Sequence, residues 1–230
     1  MNEKETEIRE PNEVWLQRWV DQNIGWHHEE FNPHLLNYWP VLNVAEGALV
    51  LAPLCGKSRD MVWLAEKGYR VRGIELSPLA IETFFKEQGL EPEKETQGLF
   101  ERWFSGPYEL YCGDIFDLAQ LDNTHVEAVY DRASLVALNP LQRERYAHLL
   151  KECLPENCQV LLVGMDYSQK EMAGPPYSVV EEEVKALYRS KYLVEQLDSL
   201  DLLSESQRYR DFGLTRMFEQ IYHLYPDRLV

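Results

Sequence analysis

A carboxylate, Glu75, stands 19 residues after a lone loop glycine, Gly56, in a stretch that reads strand, tight loop, helix, strand. In an open parallel sheet, ligands bind beyond the carboxyl ends of the strands. A carboxylate at that point accepts hydrogen bonds from both ribose hydroxyls of a nucleoside cofactor. The three-glycine pyrophosphate pattern is missing, because Gly56 stands alone with Pro53 and Lys57 around it. A nucleoside without phosphates, of which S-adenosylmethionine is the common one, therefore fits better than a dinucleotide. The same spacing also suits an α/β sheet whose loop is only structural. Two more strand ends carry reactive types. Asp114, in Gly113-Asp114-Ile115-Phe116, could accept from an adenine amino group with Ile115 on the ring face, or simply cap the next short helix. Asp131-Arg132-Ala133-Ser134 follows a fourth strand, where the crevice of a doubly wound sheet would lie.

The elements that position these residues are legible in order. Pro11-Asn12 starts a helix with Trp15, Leu16, Trp19 and Val20 on one stripe. Such a helix is either plain packing or a lid over a bound cofactor, with Gly25-Trp26-His27-His28 as its edge. Phe31 to Leu42 reads as a second helix. Ala48 to Pro53 is an apolar run without alternation, as a doubly covered parallel strand requires. Met61, Leu64 and Ala65 mark a helix ending at Gly68, and Tyr69 to Ile74 is the next strand. Ser77-Pro78 caps and opens a helix with Ile81, Phe84 and Phe85 inward. Glu91 to Gly106 is an irregular connection or a short hairpin. Strands follow at Tyr108–Cys112, Val126–Tyr130 and Val160–Met165, with a helix from Asn139-Pro140 between the last two. Gly174-Pro175-Pro176-Tyr177 forms a stiff loop that could wall a substrate pocket, or a turn before a helix at Val179–Tyr188. Leu193–Asp198 and Thr215–Tyr225 close the chain as strands. Alternation in the second suggests an antiparallel edge.

Composition narrows the class. The 230 residues suit one α/β domain with an appendage, and 45% hydrophobic content with 6 Trp, 13 Tyr and 8 Phe indicates a folded globule. A formal charge of −16 without a basic run argues against nucleic acid and against anionic membrane surfaces. No apolar run approaches the roughly 20 residues of a membrane span. The N-terminus, MNEKETEIREPNE, is unlike a signal peptide and its first ten residues are expected to fray. Cys55, Cys112, Cys153 and Cys158 show no C-x-x-C spacing, so reduced thiols in a cytoplasmic protein are expected. No H-x-x-x-H pair occurs and His27-His28 are adjacent, so no metal site is expected.

The blocks PLCGKSRDMVWLAEKGYRVRGIELS (53–77), YCGDIFDL (111–118), DRASLVALNP (131–140) and GPPYSV (174–179) resemble the thiopurine S-methyltransferase family. W-x-x-x-W and the Gly-aromatic-His element extend the likeness over nearly all of residues 12–225. The resemblance implies an α/β, doubly wound, mostly parallel seven-stranded sheet with an antiparallel C-terminal edge strand and an N-terminal helical lid. It would be a single domain over 1–230, with 1–45 as lid and 46–230 as catalytic core. The implied cofactor is S-adenosylmethionine, with S-adenosylhomocysteine as product. Implied cofactor contacts are Trp15, Trp19, Leu54, Gly56, Glu75, Asp114, Ile115 and Arg132. Trp26, Arg132 and Tyr177 would meet the acceptor, with Trp26 where many members carry Phe.

The implied reaction is an in-line displacement in which a sulfur nucleophile takes the sulfonium methyl. Alignment supplies roughly 7–11 kcal/mol of such a barrier, so no general base is assigned. Arg132 would favour the thiolate, Asp131 would orient or cap, and His27 is the remaining candidate for proton removal. A small-molecule thiol partner and a monomer are expected. Related enzymes acting on sulfide, halide or selenium and tellurium species would share the cofactor residues. A non-catalytic cofactor-binding protein would share the fold. An arsenite-type activity is disfavoured, because no cysteines converge.

Overall fold

The computed structural model describes residues 11–205 and 207–227; the expected fraying of residues 1–10 lies outside them. Among the described residues the strands are β1 (Leu49–Pro53), β2 (Arg70–Glu75), β3 (Glu93–Gln97), β4 (Phe100–Ser105), β5 (Tyr108–Cys112), β6 (Val126–Arg132), β7 (Gln159–Tyr167), β8 (Tyr192–Asp201) and β9 (Met217–Pro226). The helices are α1 (Pro11–Val20), α2 (Pro33–Tyr38), α3 (Asp60–Glu66), α4 (Pro78–Glu87), α5 (Pro140–Cys153), α6 (Glu181–Tyr188) and the short α7 (Leu202–Glu205) and α8 (Gln207–Asp211). One sheet runs in the order β3-β4-β5-β2-β1-β6-β7-β9-β8. Its centre, β5 to β7, is parallel, and both flanks are antiparallel.

β1 shows why the centre is covered twice. All five of its residues are buried. Leu49 and Leu51 join a core with Tyr146 and Leu150 of α5 and Tyr188 of α6. Val50 and Ala52 join a second core with Met61 and Leu64 of α3 and Ile81 and Phe84 of α4. Alternate residues of a strand face opposite sides, so these are the two faces of the sheet. Local signals fix the helix starts. The Ser77 side chain accepts from Ala80 N–H with Pro78 next, and Asn139 with Gln142 forms a reciprocal capping box.

Several expectations need correction. The sheet has nine strands rather than seven, because Glu91 to Gly106 is the hairpin alternative and adds β3 and β4 beyond β5. The C-terminal strand is not the edge. β9 lies between β7 and β8, and β8, largely exposed, is the edge. Polar residues misled the alternation, since Gln220 and His223 are buried with partners, Gln196 and Gln159 respectively. Val20 is exposed rather than on the packed stripe, while Trp19 is buried. The second helix starts only at Pro33, capped by Asn32, and tightens into a 3-10 turn at Trp39–Leu42 where Pro40 removes a donor.

Gly73 in β2 marks how tightly this centre is packed. A Cβ there would lie 2.6 Å from Cys55 Sγ and 2.6 Å from a Leu110 methyl. Gly73→Ala is expected to lower the unfolding free energy by about 1–3 kcal/mol through overpacking. A urea titration should read this as a lower midpoint with an unchanged slope.

Candidate functional site

The site starts at the turn after β1. Leu54 and Gly56 both take left-handed backbone conformations (φ +45° and +54°), which turns the chain sharply back over the sheet edge. Cys55 N–H donates to Ile74 O at 3.0 Å, and Gly56 N–H donates to Glu75 Oε2 at 2.8 Å. Ser77 N–H donates to Glu75 Oε1 at 2.7 Å. Both carboxylate oxygens are thus held by the backbone, and the Leu76 N–H adds to the same grip. Burial pushes the Glu75 carboxyl up to about 7, against the opposing pull of the Ser77 and Gly56 N–H groups. Gly56 is required twice here. Its φ favours glycine, and a Cβ would come within 3.0 Å of the Trp19 ring.

A cavity of about 560 Å³ opens over these strand ends, a volume typical of small-molecule sites. Sheet order spreads its lining across the molecule. Asp114 and Ile115 follow β5, Glu75 ends β2, Leu54 follows β1, Arg132 ends β6, Val163 and Met165 belong to β7, and Glu219 to β9. Asp114 caps the following turn through Phe116 N–H (2.9 Å) and also accepts from Asn12 Nδ2 of α1 (3.0 Å). Trp15, Trp19 and Trp26 roof the cavity as an edge-to-face group, with Trp26 5.2 Å from Trp15 and 6.1 Å from Trp19. Arg18 lies 4.8 Å from the Trp15 ring centre. Arg132 Nη1 donates to Trp26 O at 2.8 Å, fastening the roof to the end of β6. Next to it, Asp131 is fully buried, accepting from Tyr146 Oη (2.7 Å) and Leu135 N–H (3.2 Å). Of the orienting and capping alternatives, these bonds are the capping one.

The cavity brings together Trp15, Trp19, Trp26, Leu54, Glu75, Asp114, Ile115 and Arg132. Three residues fall elsewhere. Gly56 lines a small adjoining recess with Lys57, and meets the cavity's lining through its bond to Glu75 and its approach to the Trp19 ring. Tyr177 does not line the cavity. Its N–H donates to Val136 O at 2.6 Å and its ring packs against Gly174, so Pro175 and Pro176 turn inward instead. His27 also lies in the recess, its Nε2 3.6 Å from Glu29, with burial and the Lys57 charge holding it below the usual histidine range. His28 lines the main cavity, likewise lowered by burial and by Arg132.

Sequence reading passed over Asn12, His34 and Glu219. His34 Nε2 lies 2.6 Å from Glu219 Oε2, and both line the cavity. The available signal was a carboxylate inside the closing strand, beside Gln220.

The model of the thiopurine S-methyltransferase (TPMT) family matches residues 10–227. A relative from Nitrosospira multiformis named thiopurine S-methyltransferase is 47% identical over 92% of this chain and 96% of its own. Another of that name, from Pseudomonas putida, is 46% identical over 91% and 97%. A solved structure of the Burkholderia thailandensis 1,6-didemethyltoxoflavin-N1-methyltransferase, with 1,6-didemethyltoxoflavin and S-adenosylhomocysteine bound, has the same fold. It superposes with a TM-score of 0.62 at 16% identity, covering 94% of this chain and 87% of that one.

Glu75 also sets a pH dependence. Its folded-state pKa is raised from 4.5 to about 7, so between those values the folded state binds the proton more tightly than the unfolded one. Its contribution to stability is full below about 4.5 and is lost as pH rises through 7. Relative to Glu75→Gln, the wild-type chain is expected to lose stability from about pH 4.5 to pH 7 and to level off above that. Paired urea titrations across that range would show it.

Proposed function

Because the chain belongs to the thiopurine S-methyltransferase family, we propose that it transfers the methyl group of S-adenosylmethionine to the sulfur of an aromatic or heterocyclic thiol. The observation that carries this reading is a cavity with a backbone-held carboxylate toward one end and a fixed guanidinium near its middle. The residues fit the cofactor. Glu75 keeps acceptor capacity for a ribose hydroxyl, Asp114 keeps acceptor capacity for an amino group, and Leu54, Leu76 and Ile115 offer apolar contact to a ring. When bound, S-adenosylmethionine supplies a methyl group made electrophilic by its sulfonium charge.

The chain's own residues do the rest. Trp15, Trp19 and Trp26 exclude water, which strengthens the electrostatic interactions beneath them. Arg132 draws the acceptor toward its thiolate form by charge and hydrogen bonding. Its bond to Trp26 O means that closure of the roof and placement of this charge occur together. Pro175 and Pro176 take the walling role first expected of Tyr177.

In this reading residues 1–230 form a single domain, with 1–45 as lid and 46–230 as catalytic core. The protein acts as a cytoplasmic monomer on small molecules and not on nucleic acid. Four cysteines without a disulfide and a charge of −16 support this placement. No helix among the described residues is long and apolar enough to cross a membrane.

Titration calorimetry with S-adenosylhomocysteine should give one site. Label from S-adenosylmethionine should reach 6-mercaptopurine. Glu75→Ala is expected to weaken S-adenosylhomocysteine by roughly 10–100-fold, the loss of one charged hydrogen bond at about 1.5–3 kcal/mol. Arg132→Ala should lower turnover on an ionisable thiol while leaving a folded, cofactor-binding protein. Binding without transfer to any small thiol would overturn the enzymatic reading.

A further inference from the structure

The cavity continues past Arg132 to a carboxylate that the mechanism above does not use. Glu219 lies on β9, paired with Met165 of β7, while Glu75 ends β2. Between these strands lie β1, β6 and β7. At about 4.8 Å per strand, Glu219 is roughly 19 Å across the sheet from Glu75, with Arg132 between them. A ligand held on Glu75 and Asp114 therefore leaves the Glu219 end to the acceptor.

Glu219 is prepared for a donor. Its side chain is 13% exposed and lines the cavity, and His34 Nε2 engages one oxygen at 2.6 Å. A carboxylate only accepts, so that bond assigns the proton to His34 Nε2. The other oxygen, Oε1, has no protein partner among the described residues. A carboxylate fixed by one neighbour, with a free oxygen, pairs with an N–H rather than with another anion.

Resting on the methyltransferase reading, we propose that Glu219 receives the ring N–H of a heterocyclic thione acceptor and takes its proton as the sulfur is methylated. The chemistry of such an acceptor requires a proton acceptor away from sulfur. In the thione form the proton is on nitrogen and the sulfur carries none. The acceptor sulfur forms a bond to the methyl carbon, and the pair of the broken carbon–sulfur bond stays with the departing thioether. The N–H pair becomes the ring C=N bond, and the proton passes to Glu219 and then to solvent. Arg132 serves the sulfur end of the same molecule. This division gives Arg132 the sulfur end and Glu219 the nitrogen end of one acceptor in the same cavity.

The test compares two acceptors on wild type and Glu219→Gln. One is 6-mercaptopurine, which carries ring N–H groups. The other is 4-nitrobenzenethiol, which is ionised at neutral pH and has none. Glutamine keeps the shape and can still accept from His34, but it takes no proton. The ratio of kcat/KM for the thione over that for the arylthiol should fall by about 10²-fold, the lower end of general-base contributions. Calorimetry of 6-mercaptopurine binding to the S-adenosylhomocysteine complex should show weaker binding in the variant, with S-adenosylhomocysteine affinity as the control for folding. An unchanged ratio, or equal losses on both acceptors, overturns the role of Glu219 and leaves the methyltransferase reading standing. Failure of wild type to methylate either acceptor overturns that reading itself, and the Glu219 role with it.

Discussion

The carboxylate of Glu75, gripped by the N–H groups of Gly56 and Ser77, is the interaction on which the rest of the site depends. It ties the loop after β1 to the start of α4 through the end of β2. A buried carboxylate with no such donors would be strongly disfavoured. Here the backbone supplies them, and the cost of burial remains visible in the raised pKa. The same clamp sets the position of Gly56, and through it the seat of Trp19, whose ring would clash with any side chain at that position.

From there the site is a consequence of strand order. Neighbouring strands of a sheet lie about 4.8 Å apart, so residues at successive strand ends form a row. The row reads Asp114, Glu75, Leu54, Arg132, Met165, Glu219, although in the chain Leu54 precedes Glu75, and Asp114 follows both. A crossover topology thus arranges residues from distant parts of the sequence by chemistry: two carboxylates toward one side, a guanidinium near the middle, a third carboxylate at the far side.

Buried polar groups behind the row hold it in place. Asp60 accepts from Asn32 N–H at 2.8 Å and from Tyr130 Oη at 3.0 Å, linking the segment before α2 to α3 and β6. Asp131 takes the Tyr146 hydroxyl of α5, and Ser134 Oγ donates to Pro53 O at 2.7 Å. Each of these crosses between elements rather than along one. Such bonds specify how helices and loops register on the sheet, because leaving any partner unpaired in the interior would cost about 1–3 kcal/mol.

The sequence by itself determined the local structure and the Asp114, Glu75 and Leu54 half of the row. Ser77-Pro78, Asn139-Pro140 and the terminal glycines act within a few residues of themselves, and the Gly56-to-Glu75 spacing spans one strand–helix–strand unit. Those signals are local, so they survive without knowledge of the fold. Tertiary structure decided the rest. That β9 is internal follows from which strands pair, and buried Gln220 and His223 concealed it because their partners, Gln196 and Gln159, are remote in the chain. Whether Tyr177 or its neighbouring prolines faced the cavity depended on a hydrogen bond to Val136, 41 residues earlier. His34 and Glu219, 185 residues apart, meet only because α2 packs by β7, the strand next to β9. No spacing rule reaches across that distance, since the contact is set by packing against the sheet and not by the chain between.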